Sequence, residues 1–403
     1  IISLLNRNNK TNIYLRFGGI ILENTHDFRS PTTNLIGVGA LKDLPLELMP
    51  YKLSKALIVT DKNIIGLGYV EIVEKILKDL FISYDIFDGI LHPDCTISFV
   101  ENALTYFKKR LNILKRDYHF IISVGGGTNH DCAKGIAIVA TNGGDIEDYE
   151  GYKKMTKPSL PVITINTTSG SGAEVSNVAI IKDESRKVKM TIADPKMMPI
   201  ISVNDLRFMP SMPPEITASS GIDVLTHSIE GFVSTEASPV TDAMAINAVK
   251  LVFQYLKRAY KNGNDLEARE KMMFANVMGG MVLNNAGLGY VHSMSHQLGG
   301  FYEEVHGACN AILLPHVLEY NAVSIPEEKV LKISEAVGAK ANNKQEAINK
   351  INHSIQNLSE DIGIPTHLSS IGINEDDLEL LSKNAEKDIN SVVNPRKGTF
   401  VDI

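Results

Sequence analysis

Residues 1–210 alternate between two hydrophobic periods. Lys55–Thr60 (KALIVT) is a short apolar run that exits into Asp61, which predicts a strand with a polar end. From Gly68 to Leu80 the residues Val70, Ile72, Val73, Ile76, Leu77 and Leu80 recur at helical spacing. Tyr84–Phe87 predicts another strand, and Thr96 can cap a helix reaching about Leu111. Tyr118–Val124 (YHFIISV) is a buried strand that runs into Gly125-Gly126-Gly127, and Thr128–Ala140 is helical again. Leu160–Asn166 predicts a strand entering Thr167–Gly172 (TTSGSG). Val178–Ile181 and Val188–Ile192 flank Asp183–Arg186 as a hairpin, and Ile200–Val203 is a last strand. Strands alternating with helices predict a parallel sheet covered on both faces.

Pro210, Pro213 and Pro214 then mark a domain boundary. Beyond residue 215 strand patterns nearly vanish. Ser238-Pro239 is a cap followed by proline at the first helical position. Val249, Val252, Phe253 and Leu256 line one face of the helix that follows. Asp265–Leu283 predicts another helix, where Gly279 and Gly280 mark the close approach of a neighbour, and further amphipathic segments occupy 326–390. The expected fold class is therefore α/β plus all-α. A Rossmann-like parallel-sheet domain spans 28–210 and an all-helical domain spans 211–403, with a tail at 1–27.

Composition narrows the function. Of 403 residues, 44% are hydrophobic and 22% charged, as in an ordinary globular protein. A net charge of −7 argues against nucleic acid or an anionic membrane as partner. No run approaches the roughly 18 apolar residues of a membrane span. Cys95, Cys132 and Cys309 are odd in number and scattered, which fits a reducing, cytoplasmic setting. Residues 1–22 carry Arg7, Lys10 and Arg16 and no acid. That suits the remnant of a mitochondrial or other organelle transit peptide, and equally a disordered tail.

The candidate chemistry gathers at Gly287–Gly307 (GLGYVHSMSHQLGGFYEEVHG). His292 and His296 are four apart and share a helix face. Gly299-Gly300 is expected to break that helix, and a turn brings back His306. Upstream, Asp223 and His227 form a second pair at the same spacing. Asp and His residues so arranged suit divalent iron or zinc with room left for substrate. Spacing does not say which histidines bind. Gly125–Lys134 (GGGTNHDCAK) places glycines at a strand end before a helix, where backbone N–H groups and the helix dipole favour an anion. Thr167–Gly172 is a second glycine-rich strand exit, and Asp61 lies at a third. Ligands of open parallel sheets sit beyond such ends, so the three together point to a dinucleotide. Lys134 either serves its phosphates or is a solvated helix residue.

These segments resemble the iron-dependent (group III) alcohol dehydrogenases. GGGTNHDCAK resembles their GGGSxxDxxK motif, NTTSGSGAE their TTxGTGSE segment and GIDVLTHSIE their GxDALTHxxE. LGYVHSMSHQLGGFYEEVHGACNAILLPH follows their long histidine signature. SPVTDA and NPRKG are most like the subgroup containing 1,3-propanediol dehydrogenase and bacterial NAD-dependent methanol dehydrogenase. The resemblance runs from about Phe28 to Gly398 and implies a dehydroquinate synthase-like fold. It implies Asp223, His227, His292 and His306 as ligands of Fe2+, or of Zn2+, and His296 as a catalytic residue beside the nicotinamide. It implies NAD contacts at Asp61, Gly126, Gly127, Thr128, Asp131, Thr167, Thr168, Lys189 and Leu206. Thr128 replaces the usual Ser, and Asp94 stands where Asn is common.

The expected activity is reversible oxidation of a small primary alcohol or diol to the aldehyde with NAD, in a homodimer or larger homo-oligomer. A sugar-phosphate cyclase or glycerol-type dehydrogenase of the same fold is the alternative. The cyclase needs several Lys and Arg to hold a phosphate, and Gly287–Gly307 has none. A metal hydrolase would not need the glycine turns, and an inactive structural relative would be free to lose ligands, of which none is lost.

Overall fold

The computed structural model describes residues 16–17, 20–21, 26–91, 93–114 and 117–403. Apart from a short ladder between Arg16–Phe17 and Ile20–Ile21, the basic stretch at 1–22 lies outside these residues.

The first half is a sheet whose central strands are runs too apolar to face water. Its strands are β1 (Thr33–Gly37), β2 (Lys55–Asp61), β3 (Ser83–Ile90), β4 (Phe120–Gly125), β5 (Val162–Asn166) and β8 (Ile201–Asp205), and β6 (Val178–Asp183) and β7 (Val188–Ala193) form the expected antiparallel hairpin beside it. The six strands lie in the order β1-β8-β5-β4-β2-β3, all parallel. Successive residues of β2 feed opposite cores. Leu57 and Val59 pack with Val100 and Ala103 of α2 (Ile97–Leu114) and with Ala133 and Ile136 of α3 (Gly127–Asn142). Ala56 and Ile58 pack with Val70, Val73 and Leu77 of α1 (Tyr69–Asp79) on the other face. Thr96 caps α2, accepting the Phe99 N–H at 3.2 Å. The chain runs outward from β2 to β3 and then returns to the other side of β2. The crevice beyond β2 and β4 is thus a topological switch point, and Asp61 and Gly125 end those strands.

The second half is helical from Pro214 onward. It comprises α4 (Pro214–Val233), α5 (Pro239–Lys261), α6 (Leu266–Ala286), α7 (Tyr290–Tyr302), α8 (His306–Asn321), α9 (Glu327–Ala336), α10 (Lys344–Asp361) and α11 (Leu378–Lys387), around one continuous core. Ser238 caps α5 as the sequence suggests, and Asp265 caps α6, accepting the Ala268 N–H. Every residue of α4 from Gly221 to Val233 is buried, the mark of a central helix. Among the described residues no helix is long and apolar enough to cross a membrane.

Two expectations need correction. Gly299 and Gly300 do not break α7, which continues to Tyr302 and stops at Glu303 in a left-handed conformation (φ 62°). The glycines serve contact instead, because a Cβ at Gly300 would stand 2.7 Å from the Lys187 carbonyl oxygen and 3.0 Å from the Val188 Cα. Strand β1 was not expected at all. It is a partly exposed edge strand, and its sequence TNLIG mixes polar and apolar residues without alternation.

Candidate active site

Helix α4 carries Asp223 and His227 one turn apart in the buried centre of the helical half. Helix α7 carries His292 and His296, and His306 opens α8. Around Asp223 the pieces meet. Its Oδ1 lies 3.3 Å from His227 Nε2, 3.4 Å from His292 Nε2 and 3.4 Å from His306 Nε2. Tetrahedral ligands about 2.1 Å from a metal stand roughly 3.4 Å apart, so Asp223 is already at ligand spacing from each imidazole. The donor atoms of Asp223, His227 and His292 all fall within 4.8 Å of one another.

The protonation states agree with this. Burial lowers His227 to about 3 and His306 to about 4, which leaves neutral imidazoles with a lone pair to give. Burial would raise Asp223, but the surrounding imidazoles hold it well below the ordinary carboxylate value. Burial also opposes charge on His292, yet the carboxylates of Glu230 and Asp223 outweigh it and push it up to about 9. A cation among these donors takes over the role of that proton. The residues present therefore fit a divalent metal.

Partners behind the donors were not legible in the sequence. Glu230 Oε2 lies 2.5 Å from His292 Nδ1, and its Oε1 accepts the Val291 N–H at 2.7 Å. Asn310 donates to Asp223 Oδ1 at 2.9 Å, and Ser295 Oγ lies 3.3 Å from His306 Nδ1. The Glu in HSIE, three residues past His227, was the available signal for the first. His296 lies beside the cluster, one helical turn beyond His292 on α7. Its ring centroid lies 6.0 Å from that of His292 and 5.5 Å from that of His306, and its Nδ1 faces Asp388 at 3.3 Å.

A cleft of about 1630 Å³ opens over this cluster, and the ends of β2, β4 and β5 border it from the other side. Asp61, Gly126, Gly127, Thr128, Asp131, Thr167, Thr168 and Lys189 line it together with Asp223, His227, His292, His296 and His306. Asp61 caps the short helix Lys62–Gly66, accepting the Asn63 and Ile64 N–H groups at 2.8 and 3.1 Å, and its other oxygen accepts from Asn129 Nδ2 at 3.1 Å. Gly126 caps α3, so the turn presents a helix N-terminus to the cleft. The two glycine turns abut, because a Cβ at Gly126 would stand 2.9 Å from Thr168 Cγ2 and one at Gly127 2.7 Å from Ser171 Oγ.

The two halves match two known family models. Residues 31–206 match "Iron-containing alcohol dehydrogenase", and residues 217–403 match "Fe-containing alcohol dehydrogenase family, C-terminal". The chain belongs to the iron-containing alcohol dehydrogenase family. It is 42% identical to alcohol dehydrogenase 4 of Schizosaccharomyces pombe, over 93% of this chain and 87% of that one. It is 39% identical to the NAD-dependent methanol dehydrogenase of Bacillus methanolicus, over 94% and 97%. A crystal structure of 1,3-propanediol oxidoreductase superposes with a TM-score of 0.88 at 38% identity, covering 94% of this chain and 98% of that one.

In this alcohol dehydrogenase, four residues near the cofactor side differ from expectation or add to it. Lys134 neither faces the cleft nor meets solvent. It is fully buried, donates to the Ala173 and Val178 carbonyls at 2.6 Å each, and is lowered to about 8 by burial. It stitches α3 to the segment that follows the second glycine turn. Asp131 accepts the Ile180 N–H at 3.1 Å, and burial raises it to about 6. Leu206 packs with Met209 and Met273 and does not border the cleft. The charge of Asp94 is met by Lys189 Nζ at 2.8 Å.

Proposed function

We propose that this enzyme reversibly oxidises a small primary alcohol or diol to its aldehyde with NAD and a divalent metal, iron first and zinc second. One observation carries the reading. Asp223 with three imidazoles at 3.3–3.4 Å and two glycine-rich strand ends face one cleft, so a metal and a dinucleotide can meet across it. The names of the relatives support the substrate class, since they include methanol dehydrogenase, 1,3-propanediol dehydrogenase and lactaldehyde reductase.

Asp223, His227, His292 and His306 would hold the metal, which supplies Lewis acidity that lowers the pKa of an alcohol. NAD supplies the hydride acceptor. The α3 N-terminus at Gly126–Thr128 would receive the pyrophosphate, with Thr167, Thr168 and Lys189 beside it, and Asp61 would accept a ribose hydroxyl. Asp131 is assigned as support for that turn. Leu206, packed with Met209 and Met273 behind the cleft lining, is left without a direct cofactor contact in this reading. His296 takes up the proton released in the oxidation. The functional division falls at residues 210–211, with the cofactor on one side and the metal on the other. Three buried free thiols support a reducing, cytoplasmic location, and the outer edge of β1, unpaired among the described residues, supports a homo-oligomer.

The test is absorbance on mixing NADH with short aldehydes in the presence of Fe2+ or Zn2+. Loss of NADH absorbance that requires metal is expected, and His306→Ala should abolish it with little change in fold. No aldehyde-dependent oxidation with any short aldehyde, or turnover indifferent to chelation, would overturn the reading.

A further inference from the structure

We propose that Asp388 is a positioning residue for His296. Its carboxylate holds the imidazole with the proton on Nδ1 and leaves Nε2 as the acceptor on the cleft side. The inference rests on the reading above, in which His296 handles the proton of alcohol oxidation.

Asp388 divides its two oxygens between two tasks. Oδ1 accepts the Asn390 backbone N–H and the Asn390 side-chain amide, each at 2.9 Å, and so caps the turn Ile389–Val393. The Asp388 N–H is bound to the Asn384 and Ala385 carbonyls at 3.1 and 3.2 Å. The carboxylate is thus anchored from both sides. Oδ2 is left to His296 Nδ1, at 3.3 Å. Both side chains are almost fully buried, at 4% and 6% exposure. A cap needs only one oxygen, and a capping Asp at an ordinary turn has no reason to place the second against an imidazole inside a catalytic cleft.

A carboxylate accepts only, so it selects the tautomer that carries hydrogen on the facing nitrogen. The other nitrogen then keeps its lone pair, and His296 lines the cleft. Asp388 lies 92 residues from His296 in sequence. It comes from the segment after α11 that closes over α7, so no local motif marks the pair.

The test uses the metal-loaded enzyme and Asp388→Asn. Asparagine keeps a capping oxygen, but its amide donates toward Nδ1 and favours the opposite tautomer. A well-placed general base contributes about 10²–10⁴-fold, so kcat should fall by about 10- to 100-fold. KM for the alcohol and the metal stoichiometry should stay within about twofold. Added to His296→Ala, Asp388→Asn should change kcat no further. Unchanged kcat in Asp388→Asn, or effects that multiply in the double variant, would overturn the positioning role while leaving His296 in place. Wild-type turnover in His296→Ala would instead sink the role of His296 itself. If Asp388→Asn fails to fold, nitrogen-15 spectra of histidine-labelled wild-type enzyme loaded with Zn2+ decide the matter. The signal lost in His296→Ala should report Nδ1–H, and an Nε2–H imidazole would refute the assignment.

Discussion

Asp61 shows how one side chain can be structural and selective together. One oxygen caps a short helix and the other takes the Asn129 amide, yet the carboxylate borders the cleft where the proposal puts an adenosine ribose. A 2′-phosphate there would meet a like charge, at about 1 kcal/mol in water and about 4 at a partly screened surface. Asp61→Gly should therefore raise NADP use relative to NAD by roughly tenfold or more. Glycine is itself a tolerated N-cap, so stability should fall by only a few tenths of a kcal/mol. An unchanged ratio of the two catalytic efficiencies would confine Asp61 to capping. Glu230 is the other residue with a sharp expectation. Glu230→Gln keeps the shape but removes the charge behind His292, and metal affinity should weaken about 10- to 100-fold. Competition with a chelator measures it, and unchanged affinity would count against the role. The Asp and His positions were legible because each pair repeats at one helical turn. Glu230 was not, because its bond to His292 spans 62 residues.

At the scale of elements, the buried strands read clearly because a parallel sheet covered on both faces needs unbroken apolar runs. Lys55–Thr60, Tyr118–Val124 and Leu160–Asn166 all became central strands. The edge strand β1 carries no such signature, since one side of it meets no neighbouring strand among the described residues. Glycine was misread in α7 and read correctly in α6 for the same reason. Spacing shows that a neighbour comes close, but not whether the helix ends there. Gly280 is the sharper case. A Cβ on it would lie 2.7 Å from Gly172 Cα and 2.7 Å from Val175 Cγ2, and Gly172 itself has φ +61°. Two backbones in contact cannot yield as a flexible side chain can. Gly280→Ala should cost about 1–3 kcal/mol, read as a lower urea midpoint, and a midpoint equal to wild type would show that α6 can move away from the second glycine turn.

Across the whole molecule, the division into a sheet half and a helical half was legible from the change of period near Pro210–Pro214. How the halves join was not. Asn276 of α6 donates to Glu174 at 2.7 Å and accepts the Gly172 N–H at 3.1 Å, so the helical half grips the second glycine turn directly. The metal donors come from α4, α7 and α8, and an ion bound among them ties three helices together. At a free-metal concentration of 100 times Kd the folded state gains about 2.7 kcal/mol. Thermal melts should therefore rise on adding Fe2+ or Zn2+ and fall back with chelator. His227→Ala should lose this response, and a metal-induced rise that survives the substitution would place the ion elsewhere.

The buried lysine beneath the glycine turns has a further consequence, for labelling. Lys134 is sealed from any reagent, and its amine is held by the Ala173 and Val178 carbonyls. It can be acylated only when α3 lifts away from the Ala173–Val178 segment. Its rate of acylation, followed by peptide mass, is therefore a built-in clock for opening of the cradle beneath the proposed pyrophosphate site, and a dinucleotide seated there should slow that clock while leaving the exposed lysines unaffected.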